Sequence, residues 1–395
     1  MTTGVPPSRL PTEELVALLR AFGAPDAEIT RAEADGTLVL LALDRLALGQ
    51  DLEYDVAEAC RLVDLPEEEL RHLWRSLGFP DPPDDEKVFT QVDVDNLAAV
   101  ALLMKSGVAP PEITYGMTRV IGSSMARVAS ALVDAVGARA EEAMRRAEGV
   151  DEPVLEQLAT ETGGFLPMFP SVLEQVWRRH LQVAARRRLL RSEGDEDRGL
   201  VVGFADLVGF TALSQQVSDE ELSHVVDQFE QLAYDVVVAG GGRVLKMIGD
   251  EVMFIVEDPL AAVEIALGLA EASRDAEQLS DVRVGLAVGP VLEREGDAYG
   301  PTVNLASRIT SIAYPGSVVV SSEIRAALDE REDLVFKAMR PRYLKHIGRV
   351  SLSRVRRSDD SPSTFRELME ERRQQMRDAV RDKLAARLAG DDALS

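Results

Sequence analysis

The spacing of apolar residues divides the chain into two regions with different secondary structure. In the first 165 residues, apolar positions recur every three or four residues, as in segments 12–22, 37–48 and 94–105. This spacing predicts consecutive helices. From Gly199 onward, short β-rich runs alternate with helical segments, which is typical of an α/β or α+β domain. We therefore expect two domains, the first all-α.

The segment between the two regions has its own pattern. Residues 163–170 (GGFLPMFP) are rich in glycine and proline and should interrupt the helices. Residues 171–191 predict an amphipathic helix with Trp177 and many arginines, and a polar, acidic linker follows it. The predicted organisation is a helical domain at 1–165, a linker helix and linker at 166–198, a second domain at 199–356 and a charged tail at 357–395. A last helix is expected at 364–388.

Composition excludes several classes of protein. The 68 acidic residues exceed the 44 basic ones and give a net charge of −24, which disfavours binding to nucleic acids or anionic membranes. A single cysteine, Cys60, can form neither an internal disulfide nor a thiolate metal site. No apolar run approaches the roughly 20 residues that span a bilayer. We expect a cytoplasmic protein without a membrane span and without a nucleic-acid partner.

Two aspartates stand where β-strands end. The strand at 200–206 ends in Asp206, and a helix with the capping pair Ser218 and Glu221 follows. The strands at 243–247 and 251–256 then predict a hairpin with Asp250 at its tip. A single aspartate in such a place is more often a turn or cap residue. If the hairpin pairs beside the first strand, however, the two carboxylates could share Mg²⁺ or Mn²⁺ ions that also bind phosphate oxygens.

Three linked motifs carry a family resemblance. ADLVGFT contains Asp206, KMIGDEV contains Asp250 after 44 positions, and residues 297–308 read DAYGPTVNLASR. Together they resemble the class III nucleotidyl cyclase family. The resemblance implies an α+β ferredoxin-like catalytic domain that converts ATP to cyclic AMP and pyrophosphate. It also implies two Mg²⁺ or Mn²⁺ ions on Asp206 and Asp250, and a head-to-tail homodimer with two equivalent sites.

The same resemblance assigns the remaining site residues. Lys246 and Asp297 match the pair that reads the adenine edge. An ammonium can donate to a ring nitrogen of adenine and a carboxylate can accept from its amine, whereas guanine presents a carbonyl there. The pair therefore favours ATP, with a guanylyl cyclase as an alternative.

Three further positions match residues that contact the ribose and the phosphates. Asn304 and Arg308 lie four residues apart on a predicted helix that begins at Pro301, so they share one face. In the family they steady the ribose and the charge that develops on the α-phosphate. Lys345, in RYLKHIG, resembles the lysine that binds the terminal phosphate, and Lys337 competes for that role.

The N-terminal half carries weaker resemblances. The order of elements in residues 54–104 resembles a MerR-type winged-helix unit, but acidic residues stand where DNA binding requires basic ones. We therefore expect a degenerate winged-helix-like unit. The whole architecture resembles mycobacterial adenylyl cyclases with an autoinhibitory, sometimes pH-responsive N-terminal domain. We consider a proton or a fatty acid as the effector. His72, His180, His224 and His346 are the only side chains whose unperturbed titration falls near neutral pH, although a lone histidine is more often structural. The alternative function is a catalytically silent, nucleotide-sensing regulator.

Overall fold

The chain divides into two compact units. A computed structural model describes residues 16–17, 19–20, 23–48, 50–146, 168–190, 199–276 and 279–358. Contacts between Cα atoms separate Met1–Ala159 from Thr160–Ser395. The predicted tail helix at 364–388 and most of the predicted first helix at 12–22 lie outside the described residues.

The first unit is helical in its described part, as predicted. Besides helices, the described residues there contain one isolated β-bridge, between Tyr54 and Phe89. The helices are α1 (Asp26–Asp35), α2 (Leu38–Leu48), α3 (Val56–Val63), α4 (Glu67–Ser76), α5 (Gln91–Lys105) and α6 (Pro111–Arg146).

Local capping sets the start of two of these helices. Asp55 and Glu58 form a capping box at α3, and Thr90 and Asp93 form one at α5. Helix α5 therefore begins three residues before the predicted start at residue 94, because the cap lies ahead of its apolar repeat. Packing of α3, α4 and α5 around the buried Phe89 forms one core of this unit.

The arginines of α4 are paired with acidic residues. Arg71 contacts Glu67 at 2.8 Å and Asp84 at 2.5 Å, and Arg75 contacts Asp81 at 2.8 Å. Both arginines of this helix are thus engaged in ion pairs within their own unit. The winged-helix likeness itself stays a prediction.

In its described part, the second unit starts with a helix and continues as a mixed α/β domain. Helix α7 (Phe169–Leu190) starts two residues before the predicted position, since Pro170 is tolerated in a first helical turn. The strands are β1 (Leu200–Leu207), β2 (Arg243–Ile248), β3 (Glu251–Val256), β4 (Val282–Gly289), β5 (Leu292–Arg294), β6 (Asp297–Tyr299), β7 (Val318–Ser321), β8 (Leu334–Ala338), β9 (Arg342–Leu344), β10 (Gly348–Val350) and β11 (Leu352–Arg357). The other helices are α8 (Phe210–Leu213), α9 (Asp219–Ala239), α10 (Pro259–Asp275), α11 (Pro301–Ile312) and α12 (Ser322–Ala327).

Seven strands form one sheet in the order β2-β3-β1-β4-β7-β11-β8. Only the pairing of β4 with β7 is parallel. The chain order β1-α9-β2-β3-α10-β4 is that of a βαββαβ unit. Strands β5 and β6 form a separate hairpin, and so do β9 and β10.

Helices cover both faces of this sheet. On one face, α9 and α10 pack against residues such as Val201 and Phe254. On the other face, α11 packs against Phe204 and Ala287 through Ala306 and Ile309. The helix lies so close that a Cβ on Gly285 would be 2.3 Å from the backbone nitrogen of Thr310. Glycine at this position therefore sets the distance of α11 from the sheet.

No described helix combines the length and the apolarity that a bilayer crossing requires.

Candidate active site

A row of charged side chains crosses three neighbouring strands. Asp206 of β1 is paired in register with Glu251 of β3 on one side and with Arg283 of β4 on the other. Directly paired residues project to the same face of a sheet. Strand alternation places these three on the α11 face, with Phe204, Met253 and Ala287. Register therefore brings together residues that are far apart in the sequence.

Arg283 holds Asp206 through one carboxylate oxygen. Both Nε and Nη2 of Arg283 donate to Asp206 Oδ2, at 2.6 and 2.5 Å. Asp206 itself is only 9% exposed. A charge-assisted contact of this kind orients the carboxylate and leaves its second oxygen for another ligand.

Asp250 lies at the tip of the β2–β3 hairpin, as predicted. Gly249 precedes it with φ 64°, and the backbone N–H of Leu207 donates to the Asp250 carbonyl at 3.0 Å. The turn is thereby joined to the end of β1. Burial raises the pKa of the Asp250 carboxyl, and the negative charge of Asp206 raises it further.

Glu251 is a third carboxylate in this cluster. Burial, followed by the charges of Asp206 and Asp250, raises its pKa to about 7. Three carboxylates thus lie together, and Arg283 is the cation that partly offsets them. Such an excess of negative charge fits a divalent cation. Among the described residues, no three His, Cys, Asp or Glu side chains form a ready-made metal cage, so an ion here would need further oxygen ligands.

The predicted base-reading pair is in direct contact. Lys246 Nζ donates to Asp297 Oδ2 at 2.6 Å. Asp297 comes from β6 and also accepts a hydrogen bond from the Ala298 N–H at 2.8 Å. Burial tends to raise the Asp297 pKa, but the hydrogen bond from Lys246 and its positive charge outweigh burial and lower it. The pair therefore presents an ammonium and a carboxylate on the α11 face.

Asn304 and Arg308 are both exposed on α11. In the described part of the chain, neither side chain makes a hydrogen bond or an ion pair with Asp206, Asp250, Lys246 or any other residue. The fold therefore places them on the same sheet face as the two charged groups without joining them to either.

The predicted phosphate lysines are also separate from the cluster. Lys345 follows β9 in the β9–β10 turn, and Lys337 lies on β8; both are exposed. Nothing in the described structure favours one lysine over the other.

Sequence reasoning missed Arg283, Glu251 and the ion pair of Arg243 with Glu293. Arg283 had a signal, since it is the one charged residue in the apolar run VRVGLAVG. Glu251 directly follows Asp250. Their importance depends on the pairing of β1 with β3 and β4, which the sequence does not specify locally.

Comparison with known proteins identifies the class of enzyme. Residues 196–354 match the family described as the adenylate and guanylate cyclase catalytic domain. An adenylate cyclase of Streptomyces coelicolor is 38% identical over 299 residues, which cover 74% of this chain and 76% of that protein. An adenylate cyclase of Glutamicibacter nicotianae is 32% identical, with 71% of this chain and 73% of that protein covered. The chain therefore belongs to the class III nucleotidyl cyclase family.

Within that family, its activity is that of an adenylate cyclase, as predicted. A pH-sensitive adenylate cyclase of Mycobacterium tuberculosis is also similar. It is 30% identical over 331 residues, which cover 80% of this chain and 82% of that protein. These matches extend well beyond residues 196–354 and so include part of the N-terminal half.

Proposed function

We propose that the enzyme makes cyclic AMP in two equivalent sites, each shared by the two chains of a homodimer. The observation that carries this proposal is the presence of two charged groups on one sheet face. One is the carboxylate cluster around Asp206, and the other is the Lys246–Asp297 pair. The first group suits ions and phosphates, and the second suits a purine.

Each group then has a defined role in cyclisation. Asp206 and Asp250 hold two Mg²⁺ or Mn²⁺ ions, which supply the charge that favours ionisation of the ribose 3′-hydroxyl and balances the triphosphate. Arg283 keeps Asp206 oriented. Lys246 and Asp297 bind the adenine edge, and Lys345 binds the terminal phosphate. Asn304 steadies the ribose, and Arg308 stabilises the charge that develops on the α-phosphate.

The homodimer explains the unpartnered side chains of α11. Because Asn304 and Arg308 contact neither charged group of their own chain, a second chain can bring them to the site. Ile248 is 48% exposed on the same face, and Leu292 (63%) and Tyr299 (50%) are exposed on the β5–β6 hairpin that carries Asp297. Apolar side chains that surround charged ones are typical of an interaction surface.

The test is product formation from ATP and from GTP with Mn²⁺. We expect cyclic AMP from ATP, a loss of at least about 100-fold in kcat for Asp250→Ala, and reduced preference for ATP in Lys246→Ala. Ser311→Ala, an exposed change on α11, is the matched control and should leave activity unchanged. Full activity of Asp250→Ala would disprove the assigned metal site.

We further propose that the N-terminal helical half inhibits the catalytic domain in a pH-dependent manner. Similarity to the pH-sensitive relative extends over 80% of this chain. Helix α7 also reaches the catalytic strands, since Arg187 lies 3.7 Å from Glu257, directly after β3. This contact joins α7 to the end of β3 that lies opposite Glu251, so α7 is coupled to the catalytic sheet and not to the carboxylates directly.

Truncation tests this control. Residues 191–395 alone should be more active than the full chain, or should depend less on pH between about 5.5 and about 8, where histidine titrates. Equal or lower activity of the truncated chain, with the same pH profile, would contradict autoinhibition.

A further inference from the structure

The hairpin that carries Asp297 lies outside the main sheet. Strands β5 and β6 pair with each other, and in the described chain no ladder of backbone hydrogen bonds joins them to β2. Their two-residue turn, Glu295 and Gly296, has φ values of 54° and 81°, as a tight hairpin turn requires. Backbone bonds therefore fix the hairpin internally but not against its neighbour.

Two ion pairs connect this hairpin to β2. Lys246 contacts Asp297 at 2.6 Å, and Arg243 contacts Glu293 of β5. The side chains of Arg243 and Glu293 are 33% and 29% exposed, so the second pair is partly accessible to water. In the hairpin, Glu293 is paired with Ala298, the residue after Asp297. The ion pair of Glu293 with Arg243 therefore holds the hairpin at a position next to Asp297.

A strand irregularity makes the double contact possible. Arg243 and Lys246 are three positions apart, so in a regular strand they would project to opposite faces. The register of β2 against β3 shifts between Val244 and Lys246. Arg243 is consequently paired with Ile255 and Lys246 with Met253, two residues that face the same side. The bulge thus turns both cations toward the hairpin.

We propose that Arg243 and Glu293 form a positioning pair that sets the preference of the enzyme for adenine over guanine. This inference rests on the proposed base-reading role of Lys246 and Asp297. The pair holds the β5–β6 hairpin against β2 and so keeps Asp297 within hydrogen-bonding distance of Lys246. Neither residue touches the reacting atoms, so its loss affects substrate binding and selectivity more than turnover.

A charge swap tests the pair. The proteins are the full-length wild type, Arg243→Glu, Glu293→Arg and the double variant, with KM and kcat measured for ATP and GTP in Mn²⁺. Each single variant should raise KM for ATP by about tenfold and narrow the preference for ATP, with kcat within about threefold. In the double variant, the acidic side chain at position 243 attracts the basic side chain at position 293, so KM should return to within about threefold of wild type.

Arg331→Glu is the control for the change of charge. Arg331 forms an ion pair with Asp333 just before β8, at the opposite edge of the sheet from β2. This variant should keep the wild-type KM and selectivity. Thermal unfolding verifies that each protein is folded. If a single charge-swap variant does not fold, Glu293→Gln replaces it and should raise KM for ATP by a smaller factor.

The outcomes separate this inference from the proposed function. The positioning pair is wrong if the double variant has a KM for ATP as high as that of the more impaired single variant. It is also wrong if both single variants keep the wild-type KM and the wild-type preference for ATP. Lys246→Ala and Asp297→Ala are measured in parallel. If both keep the wild-type preference for ATP, the base-reading role itself is wrong; if both lose it and the swaps do not, only the positioning pair is wrong.

Discussion

At the residue scale, the site is defined by unbalanced charge. Asp206, Asp250 and Glu251 lie together, and Arg283 offsets only part of their charge. Like charges at short distance in a partly buried place oppose one another and destabilise the folded state. This cost is expected at a site that binds cations, because the bound charge removes it. The carboxylate cluster thus destabilises the metal-free fold, which supports its proposed role in binding cations.

Glu251 gives this cluster a measurable pH dependence. Its pKa is raised from 4.5 to about 7, so the folded state binds this proton more tightly than the unfolded chain does. The metal-free protein should accordingly lose stability as pH rises from about 4.5 to about 7. The full shift corresponds to roughly 3 kcal/mol, and partial exposure reduces the expected loss to roughly 1–2 kcal/mol.

The measurement is the free energy of unfolding in EDTA as a function of pH. In Glu251→Gln, the free energy of unfolding should fall less steeply with rising pH than in the wild type. Above pH 7 this variant should be more stable than the wild type. Glu323→Gln, an exposed change on α12, should keep the wild-type slope. Mn²⁺ should recover stability in the wild type. An identical slope in wild type and Glu251→Gln would show that Glu251 does not contribute.

At the element scale, the position of α11 decides where Asn304 and Arg308 lie. The helix rests on β4 at Gly285, where an added Cβ would meet the backbone of Thr310 at 2.3 Å and the Ala306 carbonyl at 2.8 Å. Backbone cannot move aside as the end of a side chain can. Gly285→Ala should therefore displace the whole helix.

Gly203→Ala is the matched comparison for this change. Its Cβ would meet the ring of Phe254 at 2.2 Å, on the face away from α11. Both variants should lose about 1–3 kcal/mol of stability through overpacking. At a temperature where both are folded, Gly285→Ala should lose at least about tenfold in kcat, since it would displace Asn304 and Arg308, the proposed catalytic groups. Gly203→Ala should stay within about threefold. If the two variants lose kcat by the same factor, Gly285→Ala does not act through displacement of α11.

The elements also show which features sequence can specify. The cap at Ser218, the hairpin around Gly249 and the helix start at Pro301 depend on neighbouring residues, and their prediction agrees with the structure. The row of Glu251, Asp206 and Arg283 depends on strand order and register, because Arg283 lies 77 residues after Asp206. Lys246 and Asp297, separated by 51 residues, were paired through family resemblance alone. Local chemistry predicts elements, whereas contacts across the sheet require the fold.

At the scale of the whole molecule, a net charge of −24 coexists with a site that binds an anionic substrate. The segment from Lys337 to Arg357 nevertheless contains eight basic residues and no acidic one. Arg357 is engaged by Glu264 and Glu271, whereas Lys337 and Lys345 are exposed. A strongly acidic surface disfavours nucleic acids and membranes, while a local basic segment can still attract a nucleoside triphosphate.

The proposed homodimer makes a quantitative prediction about mixed chains. Asp250→Ala and Arg308→Ala should each be inactive alone, because every site needs Asp250 from one chain and Arg308 from the other. After unfolding and refolding of an equal mixture, half of the dimers contain one chain of each kind. In such a dimer both changes fall in the same site, and the other site is intact, so activity should recover to about a quarter of wild type. The control is the two variants refolded separately and then combined without exchange of chains, which should stay inactive.

The contradicting outcome is also defined. If the mixture regains no activity while size-exclusion chromatography shows dimers, each site is built within a single chain, and the exposed face of α11 must have another role.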